Sequence, residues 1–430
     1  MKVTVVLGKK GNNFILNGKH KDLNAEEVVR GMTVPIFGKG VIYDCPNEKL
    51  MDQKRCLTYE QLVKEGFSSE SLRFYTPLFV EEVEGYIQTS SDFRSDTGIC
   101  NIYSVMSEIT LYSAARSLQG QEIRDLLNST FANLYRHLDD GFAPINFMFP
   151  WAPIPRNRRR DHAQKKMAAL YLDIIRERRR TGNKDGTQDM LWTLMDSNYK
   201  DGTPVPDIEI AHLMIALLMG GQHNSAATGT WMILELAHRP HLIQELYKEQ
   251  TRVLNGDPLT YEHMSRLPLH NQIIHETLRI HSPIHSILRK VKSPMQIPDT
   301  DTIVPAGHIL LAAPGYLARH PHYFPDPENW DPHRWGSNAS DSPTTPPSHQ
   351  PSNNNLTNLK DKSALTSPYL PFGAGRHRCV GEQYAYTQLI SILATLVRIM
   401  EWEQVDPKAE VLGTDYSVSF LFSLRERLGP

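Results

Sequence analysis

Hydrophobic and polar residues follow two different periods along the chain. The first 45 residues contain three short runs of β-branched or aromatic residues, Val3–Leu7, Phe14–Asn17 and Val41–Tyr43, which are bordered by Gly, Lys or Asn. Runs of this kind are typical of β-strands. From about Asn47 to about Ile280, apolar residues recur every three or four positions, and this spacing predicts helices.

The longest helical pattern covers Asp207–Ala237, with Pro206 before its start and Pro240 beyond its end. Prolines are common at both boundaries of a helix. A helix of this length spans roughly 45 Å and can cross a whole domain. Its middle contains the polar segment GGQHNS (residues 220–225). Because two glycines inside a helix each cost about 1 kcal/mol, we expect a kink or the close approach of a ligand there.

Strand-like patterns return near the end of the chain. Thr302–Val304 and Ile309–Ala312 flank a Pro-Ala-Gly-His turn, and the segment 336–368 is rich in Ser, Asn, Pro and Thr. That composition is typical of a low-complexity surface loop. A further helix is predicted over Glu382–Met400 and a final strand over Tyr416–Leu424. The sequence therefore predicts a mainly α protein with small β-sheets.

Composition narrows the possible function classes. The chain has 430 residues, of which 40% are hydrophobic and 22% charged, so it is expected to be globular. Its net charge of −2 gives no overall reason to bind nucleic acid. The four cysteines form no CxxC pair, which argues against a disulfide scaffold or a structural zinc site. The apolar run 213–219 is far too short to span a bilayer.

Cys379 lies in an unusual segment, FGAGRHRCVG (residues 372–381), directly before an apolar helix. The glycines allow the backbone to wrap closely around a group bound to the sulfur. Arg376, His377, Arg378 and the start of the helix add positive charge, which favours a thiolate. Two alternatives remain open at this point: an inert buried cysteine and a nucleophile paired with a histidine.

This segment resembles the haem-binding loop of the cytochrome P-450 haem-thiolate monooxygenases. Glu276 and Arg279 match the ExxR motif of that family, and Arg334 within DPHRW matches its downstream arginine. Glu and Arg three residues apart share a helix face. A buried charge pair is stable only when it is fully hydrogen-bonded, and Arg334 is expected to complete such a buried triad. The resemblance implies the cytochrome P-450 fold, with a long central helix over the haem and one catalytic domain covering residues 1–430.

Within that family, the chain resembles the fungal sterol 14α-demethylases in segments 37–46, 220–225 and 285–289 and at His377. The resemblance implies a haem iron ligated by Cys379. It further implies haem-contacting residues, proton-delivering residues on the central helix and substrate-lining residues. The haem contacts are Tyr43, Lys54, Arg289, Phe372, Gly375 and His377, the proton-delivering residues are His223, Asn224 and Ser225, and the substrate-lining residues are Phe37, Phe142, His285, Ser286 and Phe420.

The implied reaction is oxidative removal of the 14α-methyl group of a sterol, with O₂ and with electrons that a reductase supplies from NADPH. His223 suits proton transfer because its unperturbed pKa is near neutral; the alternative is a hydrogen-bonded core histidine. Asn224 stands where the family usually has a hydroxyl residue, and Val29 stands where the subfamily has a tyrosine. These departures keep two alternatives open: another lipid or secondary metabolite as substrate, and a catalytically silent haem-binding remnant.

The resemblance also predicts a location at the cytosolic face of the endoplasmic reticulum membrane. Relatives carry a membrane helix and further elements before the point where this chain begins, so we expect an N-terminally truncated form. The aromatic segment 142–151 is interpreted as a lid that touches the membrane or, alternatively, as core aromatics. Segment 156–180 has ten basic and three acidic residues and is interpreted as a solvated helix face, not a nucleic-acid site. Because it follows the lid, the alternative is a position near lipid headgroups. The reductase is expected on the cysteine side, near Arg376 and Arg378.

Overall fold

Helices make up most of the computed structural model, which describes residues 2–58, 67–94, 98–127, 129–143, 145–182, 189–336 and 367–405. The α-helices are α1 (Gly8–Leu16), α2 (Glu26–Phe37), α3 (Asn47–Thr58), α4 (Ser69–Thr89), α5 (Ile102–Ala114), α6 (Gln121–Asp125), α7 (Ser129–Asp139), α8 (Ile145–Met148), α9 (Pro155–Thr181), α10 (Met190–Met195), α11 (Asp207–Ala237), α12 (Pro240–Leu254), α13 (Pro268–Ile280), α14 (Pro314–Ala318) and α15 (Glu382–Ile399). The predicted mainly α class is confirmed.

Within the described ranges, two small sheets accompany the helices. The strands are β1 (Val3–Val6), β2 (Leu23–Asn24), β3 (Ile287–Val291), β4 (Met295–Gln296), β5 (Ile303–Val304) and β6 (Ile309–Ala312). The larger sheet has the order β1-β6-β3-β2, with β1 parallel to β6 and the other two pairs antiparallel. β4 and β5 form a separate antiparallel pair. The predicted strands Val3–Leu7, Thr302–Val304 and Ile309–Ala312 are thereby confirmed to within a residue or two.

The predicted strand Phe14–Asn17 is wrong, because these residues belong to the end of helix α1. The buried residues of this helix lie at positions 11, 12, 15 and 16, which is the spacing of one helix face. The side-chain Oδ1 of Asn12 accepts a hydrogen bond from Ala313 N at 3.1 Å and fixes the helix to the sheet. The aromatic and branched run was therefore a buried helix face, which periodicity alone cannot separate from a short strand.

The predicted strand Val41–Tyr43 is also wrong, because Ile42–Asp44 form a 3-10 turn. Gly38, Gly40 and Ile42 all have positive φ (106°, 79° and 52°), a conformation that breaks a strand. The Gln53 side chain takes the place of a strand neighbour: it accepts a hydrogen bond from Ile42 N at 2.8 Å and donates one to Gly40 O at 2.9 Å. This turn brings Tyr43 to the site described below.

Helix α11 has the predicted boundaries and runs without interruption through the Gly220-Gly221 pair. A Cβ placed on Gly221 would lie 3.4 Å from Leu118 and 3.7 Å from the Tyr384 ring, so neighbouring elements approach the helix closely here. At Gly220 a Cβ would meet no atom within 4 Å. The middle of the central helix therefore packs closely on one side and borders open space on the other.

Three buried apolar clusters support these elements. One joins α4, α5, α7, α9 and the first half of α11; a second joins α12, α13, α15 and the second half of α11; a third lies between the larger sheet and α1. Among the described residues, no helix combines the length and apolar character needed to cross a bilayer. Most of the predicted loop 336–368 and all of the predicted strand Tyr416–Leu424 lie outside the described residues.

Candidate functional site

The loop that carries Cys379 is closed by its own backbone. Cys379 N donates to Phe372 O at 3.0 Å, and Arg378 N donates to Gly375 O at 3.0 Å, next to a short 3-10 turn. Gly375 has a φ of 66°, and a Cβ at this position would lie 2.6 Å from the carbonyl oxygen of Leu16. Only glycine fits there, because the backbone of α1 passes so close to the loop.

The thiol of Cys379 faces a space inside the molecule. The side chain is accessible to solvent, yet burial raises the pKa of its thiol and outweighs the lowering effects of a backbone N–H and of Lys54 and Arg378. The sequence predicted that the basic loop favours a thiolate; the protein groups alone do not achieve this. A metal cation bound to the sulfur would, because coordination deprotonates a thiol.

Lys54 ties helix α3 to this loop. Its Nζ donates to the backbone oxygens of Arg376 and Arg378, at 3.0 and 3.2 Å. Burial lowers the pKa of Lys54 to about 8, and the charge of Cys379 opposes that shift. A lysine held so deeply, and directed at carbonyl groups, adds positive charge beside the cysteine.

Further polar side chains surround the same space. Burial lowers the pKa of the Arg289 guanidinium, which comes from β3, and raises the pKa of the Tyr43 phenol from the 3-10 turn. Burial and the charges of Arg289 and Lys54 lower the pKa of His377 to about 2. These groups influence one another electrostatically, so the fold gathers them from α3, β3 and two loops around one place.

The arrangement fits the haem that the sequence resemblance implies. Lys54 and Arg289 concentrate positive charge, and in the described residues no carboxylate forms an ion pair with Arg289. Glu26 is the acidic group that acts on Tyr43 and Arg289 over a longer range. Crowded, buried cations are stabilised by an anionic partner. A flat ligand with two carboxylates and a metal that binds sulfur meets both requirements.

The two loop arginines are engaged within the chain. Arg376 donates to the backbone oxygen of Gly18. Arg378 makes a bidentate pair with Glu382, at 2.7 and 2.9 Å. Both guanidinium groups therefore help to hold the loop in place, and the expected reductase side of the molecule stays a prediction.

The central helix places His223 against an acidic residue that the sequence did not reveal. His223 Nδ1 lies 3.0 Å from Asp139 Oδ1 at the end of α7. This oxygen is buried and has no hydrogen-bond partner among the described residues, so the two groups are close but not aligned as a hydrogen bond. The side chain of Asp139 is 30% exposed, whereas that of His223 is 10% exposed. The pair therefore lies between the partly exposed end of α7 and the buried middle of α11.

The neighbours of His223 differ in how they are bonded. The side-chain Oδ1 of Asn224 is buried and has no hydrogen-bond partner among the described residues. Ser225 is buried as well. Gln222 accepts a hydrogen bond from the Tyr135 hydroxyl and donates to Ser107 O at 3.2 Å, which fixes the helix against α5 and α7. An unpartnered buried oxygen indicates a missing partner such as a water or a ligand.

The predicted substrate-lining residues occur in two pairs, with Phe420 outside the described residues. Phe37 and Phe142 make an edge-to-face contact with ring centroids 6.0 Å apart. His285 Nδ1 lies 2.6 Å from Ser286 Oγ, and burial lowers the pKa of His285. The first pair offers an apolar wall, and the second offers a neutral polar group.

The predicted triad is brought together in the interior. Arg279 binds Glu276 through two hydrogen bonds of 2.9 and 2.7 Å, and both side chains are fully buried. Arg334 Nε donates to the same carboxylate at 2.9 Å. Asp331 N and Trp335 Nε1 also donate to Glu276, at 3.0 and 2.8 Å. The carboxylate thus joins α13 to the segment that follows α14.

The aromatic segment 142–151 has two parts. Phe142 is buried in the core, as the interpretation as core aromatics expects. Beyond it, Ile145, Met148, Phe149 and Trp151 are exposed, with Trp151 75% accessible. Helix α8 and the turn after it therefore present an apolar surface to the outside.

Comparisons with known proteins identify the family of this chain. Residues 1–422 match the sequence profile of the family described as cytochrome P-450. The chain is 54% identical over 425 residues to the sterol 14-alpha demethylase CYP51C of Gibberella zeae, which covers 97% of this chain and 79% of that protein. It is 49% identical over 442 residues to the eburicol 14-alpha-demethylase of Uncinula necator, covering 99% and 81%. It is 48% identical to the sterol 14-alpha demethylase cyp51A of Aspergillus fumigatus, covering 97% and 81%.

A solved structure shares the architecture. The retinoic acid-bound cyanobacterial CYP120A1 superposes with a TM-score of 0.77 over 94% of this chain and 83% of that chain. Its sequence identity is 19%, so this likeness concerns the fold alone.

Proposed function

Because the chain belongs to the cytochrome P-450 family and, within it, to the fungal sterol 14-alpha demethylases, we propose that it oxidatively removes the 14α-methyl group of a sterol. The observation that carries this proposal is Cys379, held in a closed loop beside a cationic space. The names of three relatives at 48–54% identity support the substrate class.

Cys379 would ligate the iron, and Lys54, Arg289, His377 and Tyr43 would hold the carboxylates of the haem. The glycine-bearing loop that includes Phe372 and Gly375 would cover its sulfur side. Thiolate-ligated haem, when bound, supplies O₂ activation with electrons that a reductase takes from NADPH.

The remaining polar groups of the central helix deliver protons in this proposal. Asp139 takes up a proton from solvent and, after a rotation that aligns the two groups, passes it to His223 Nδ1, which lies 3.0 Å from its Oδ1. His223 then releases a proton from its opposite nitrogen, Nε2, towards the middle of α11. Asn224 can orient a water through its unpartnered Oδ1 but cannot itself relay a proton as a hydroxyl does, so Ser225 or that water completes the path.

The substrate would lie between an apolar wall and a polar end. Phe37 and Phe142 suit the ring system of a sterol, and the His285–Ser286 pair offers a hydrogen-bonding group; Phe420 is proposed as a further contact. The exposed part of segment 142–151 would contact the cytosolic face of the endoplasmic reticulum membrane, from which an apolar sterol enters.

Turnover with a reductase and NADPH tests the proposal. We expect the haem-loaded chain to convert lanosterol or eburicol to the 14-demethylated product and to show a thiolate-type Soret band with carbon monoxide. Cys379→Ala should lose that band and all product, because no other described side chain is placed to supply a thiolate. Cys100→Ala, at an exposed cysteine, is the control and should behave as the parent chain. A parent-like spectrum from Cys379→Ala would refute the assignment.

A second candidate is monooxygenation of another lipid or secondary metabolite, which the unpartnered Asn224 and the presence of Val29 favour. Haem reduction and O₂ consumption without demethylated sterol, together with oxidation of a different lipid, would support it. O₂ consumption without any product would support the catalytically silent haem protein instead.

A further inference from the structure

The first half of helix α9 carries a row of exposed cations. Arg158, Arg159, Lys165 and Lys166 are all exposed, and the exposed His162 lies between them. Their spacing places them along one side of the helix. The side chains on the opposite side, from position 157 to position 171, are buried against α7 and the core.

The two halves of the same helix differ in how their charges are neutralised. In the second half, Arg176, Arg179 and Arg180 each pair with a carboxylate, at distances of 2.5 to 2.8 Å. In the first half, the acidic residue Asp161 pairs with the buried Arg160 at 2.7 Å. In the part of the chain that the structure describes, no ion pair involves the four exposed cations.

This unneutralised row directly follows the exposed apolar surface of α8 and its turn. Met148, Phe149 and Trp151 are 64%, 48% and 75% exposed, and Phe149 and Trp151 contact each other edge to face. Only residues 152–154 separate this surface from the start of α9. An apolar tip next to a cationic row is the pattern of a protein surface that lies on a charged bilayer.

We propose that residues 145–166 form a docking surface for an anionic phospholipid bilayer. Met148, Phe149 and Trp151 enter the interfacial region, while Arg158, Arg159, Lys165 and Lys166 bind the acidic headgroups. The inference rests on the membrane contact proposed above and adds the lipid chemistry. Charge, and not apolar contact alone, thereby orients the substrate entrance towards the membrane.

Charge complementarity favours a lipid surface over other anionic partners. Aromatic side chains contribute to nucleic-acid binding when bases stack on their rings. The rings of Phe149 and Trp151 contact each other edge to face, which leaves no room for a base between them. Basic residues near an anionic surface each contribute on the order of one kcal/mol, which is about fivefold in partitioning. Three such charges should therefore change binding about a hundredfold.

Vesicle sedimentation with the full haem-loaded chain tests this surface. We expect strong binding to vesicles of phosphatidylcholine with 30% phosphatidylserine at low salt and weak binding to pure phosphatidylcholine. The triple variant Arg158→Gln/Arg159→Gln/Lys166→Gln should lose about a hundredfold in partitioning onto the acidic vesicles, and 0.5 M NaCl should have a similar effect on the parent chain.

The matched control is Arg176→Gln/Arg179→Gln/Arg180→Gln, which removes the same number of charges from the neutralised half of the helix. It should keep most of the binding. Three results would overturn the proposal. The first is equal binding of the parent chain to both vesicle types, and the second is an equal loss of binding in both triple variants. The third is displacement of the chain from the acidic vesicles by duplex RNA at equimolar charge. Vesicle sedimentation does not depend on turnover. Sterol demethylation is assayed separately in detergent, so a failure of the proposed function can be distinguished from a failure of membrane binding.

Discussion

At the scale of single residues, the proposed proton path depends on the pair of Asp139 and His223. We expect Asp139→Asn to lower kcat for sterol demethylation by roughly 100-fold, because positioned proton transfer contributes factors of that order. The amide keeps the shape of the side chain but cannot take up a proton from solvent and pass it on as a carboxyl group does. Single-turnover and steady-state kinetics with a saturating sterol, combined with solvent isotope effects, measure the change.

The neighbouring Asp140→Asn is the control, since it removes a charge from the same turn without touching His223. Sterol binding, measured by the shift of the haem spectrum, should be unchanged in both variants. An unaltered kcat and pH profile in Asp139→Asn would show that the 3.0 Å contact is merely structural.

The residues of this site differ in how far sequence could predict them. His223 stood out because it lies in a polar segment of an otherwise apolar helix, and Cys379 because of its glycine-rich loop. Asp139 gave no signal, since only the packing of α7 against α11 brings it to His223. Without a bound metal, burial raises the pKa of the Cys379 thiol, an effect that the neighbouring charges in the sequence do not reveal.

At the scale of elements, the cysteine loop depends on a glycine that α1 leaves no room to replace. We expect Gly375→Ala to prevent most haem incorporation, since its Cβ would lie 2.6 Å from Leu16 O and the positive φ costs a further 1 to 2 kcal/mol or so. The ratio of Soret to protein absorbance after purification measures haem content.

Gly182→Ala is the matched control, because Gly182 has a similar φ of 62° but open space around its Cβ position. It should cost roughly 1 kcal/mol in the free energy of unfolding and keep the haem. Normal haem content in Gly375→Ala would mean that the loop moves away from α1 at little cost.

A second element-scale prediction concerns the carboxylate that joins α13 to the chain after α14. Glu276→Ala should lower the free energy of unfolding by about 3–5 kcal/mol, because it leaves the buried Arg279 charge without its partner. Glu328→Ala breaks an exposed pair with Arg319 and should cost at most about 1 kcal/mol. Urea unfolding followed by tryptophan fluorescence compares the two, and equal effects would contradict the structural role of the triad.

Helices and strands could be predicted from the sequence where one local signal, such as a helical period, was strong. They could not be predicted where tertiary contacts determined the local conformation. The long helix α11 followed from its period and its flanking prolines. The segments at 14–17 and 41–43 were predicted as strands from their composition. The first is helical because its apolar residues bury one face against the sheet, and the second is a turn because three residues have positive φ and Gln53 satisfies the backbone.

At the scale of the whole molecule, the cationic space is assembled from α3, β3 and the cysteine loop, which are far apart in the chain. Their residues were predicted together only through resemblance to a family; no period or spacing links Lys54 with Arg289. The structure adds the physical reason, namely that buried basic groups from separate elements converge where an anionic ligand compensates them. Without that ligand, the same groups are a liability for stability.

This liability predicts acid sensitivity of the haem-free chain. Among the described residues, burial lowers the pKa of His212, His281 and His285 below the ordinary value of 6.5. Burial and neighbouring cations lower the pKa of His377 to about 2. In the unfolded chain these side chains take up protons around pH 6.5, whereas in the folded chain they do so only at lower pH. The unfolded state therefore binds more protons, and the free energy of unfolding falls as the pH falls.

Between pH 7 and pH 5, where exposed carboxyl groups stay ionised, His377 alone should remove about 2 kcal/mol from the free energy of unfolding. Urea titrations at half-unit pH steps measure this slope. His377→Gln should flatten it, while His322→Gln, at an exposed position, should leave it unchanged. If the slope of the His377→Gln variant equalled that of the parent chain, His377 would be protonated in the folded state, and the cationic space would already hold a compensating negative charge without haem.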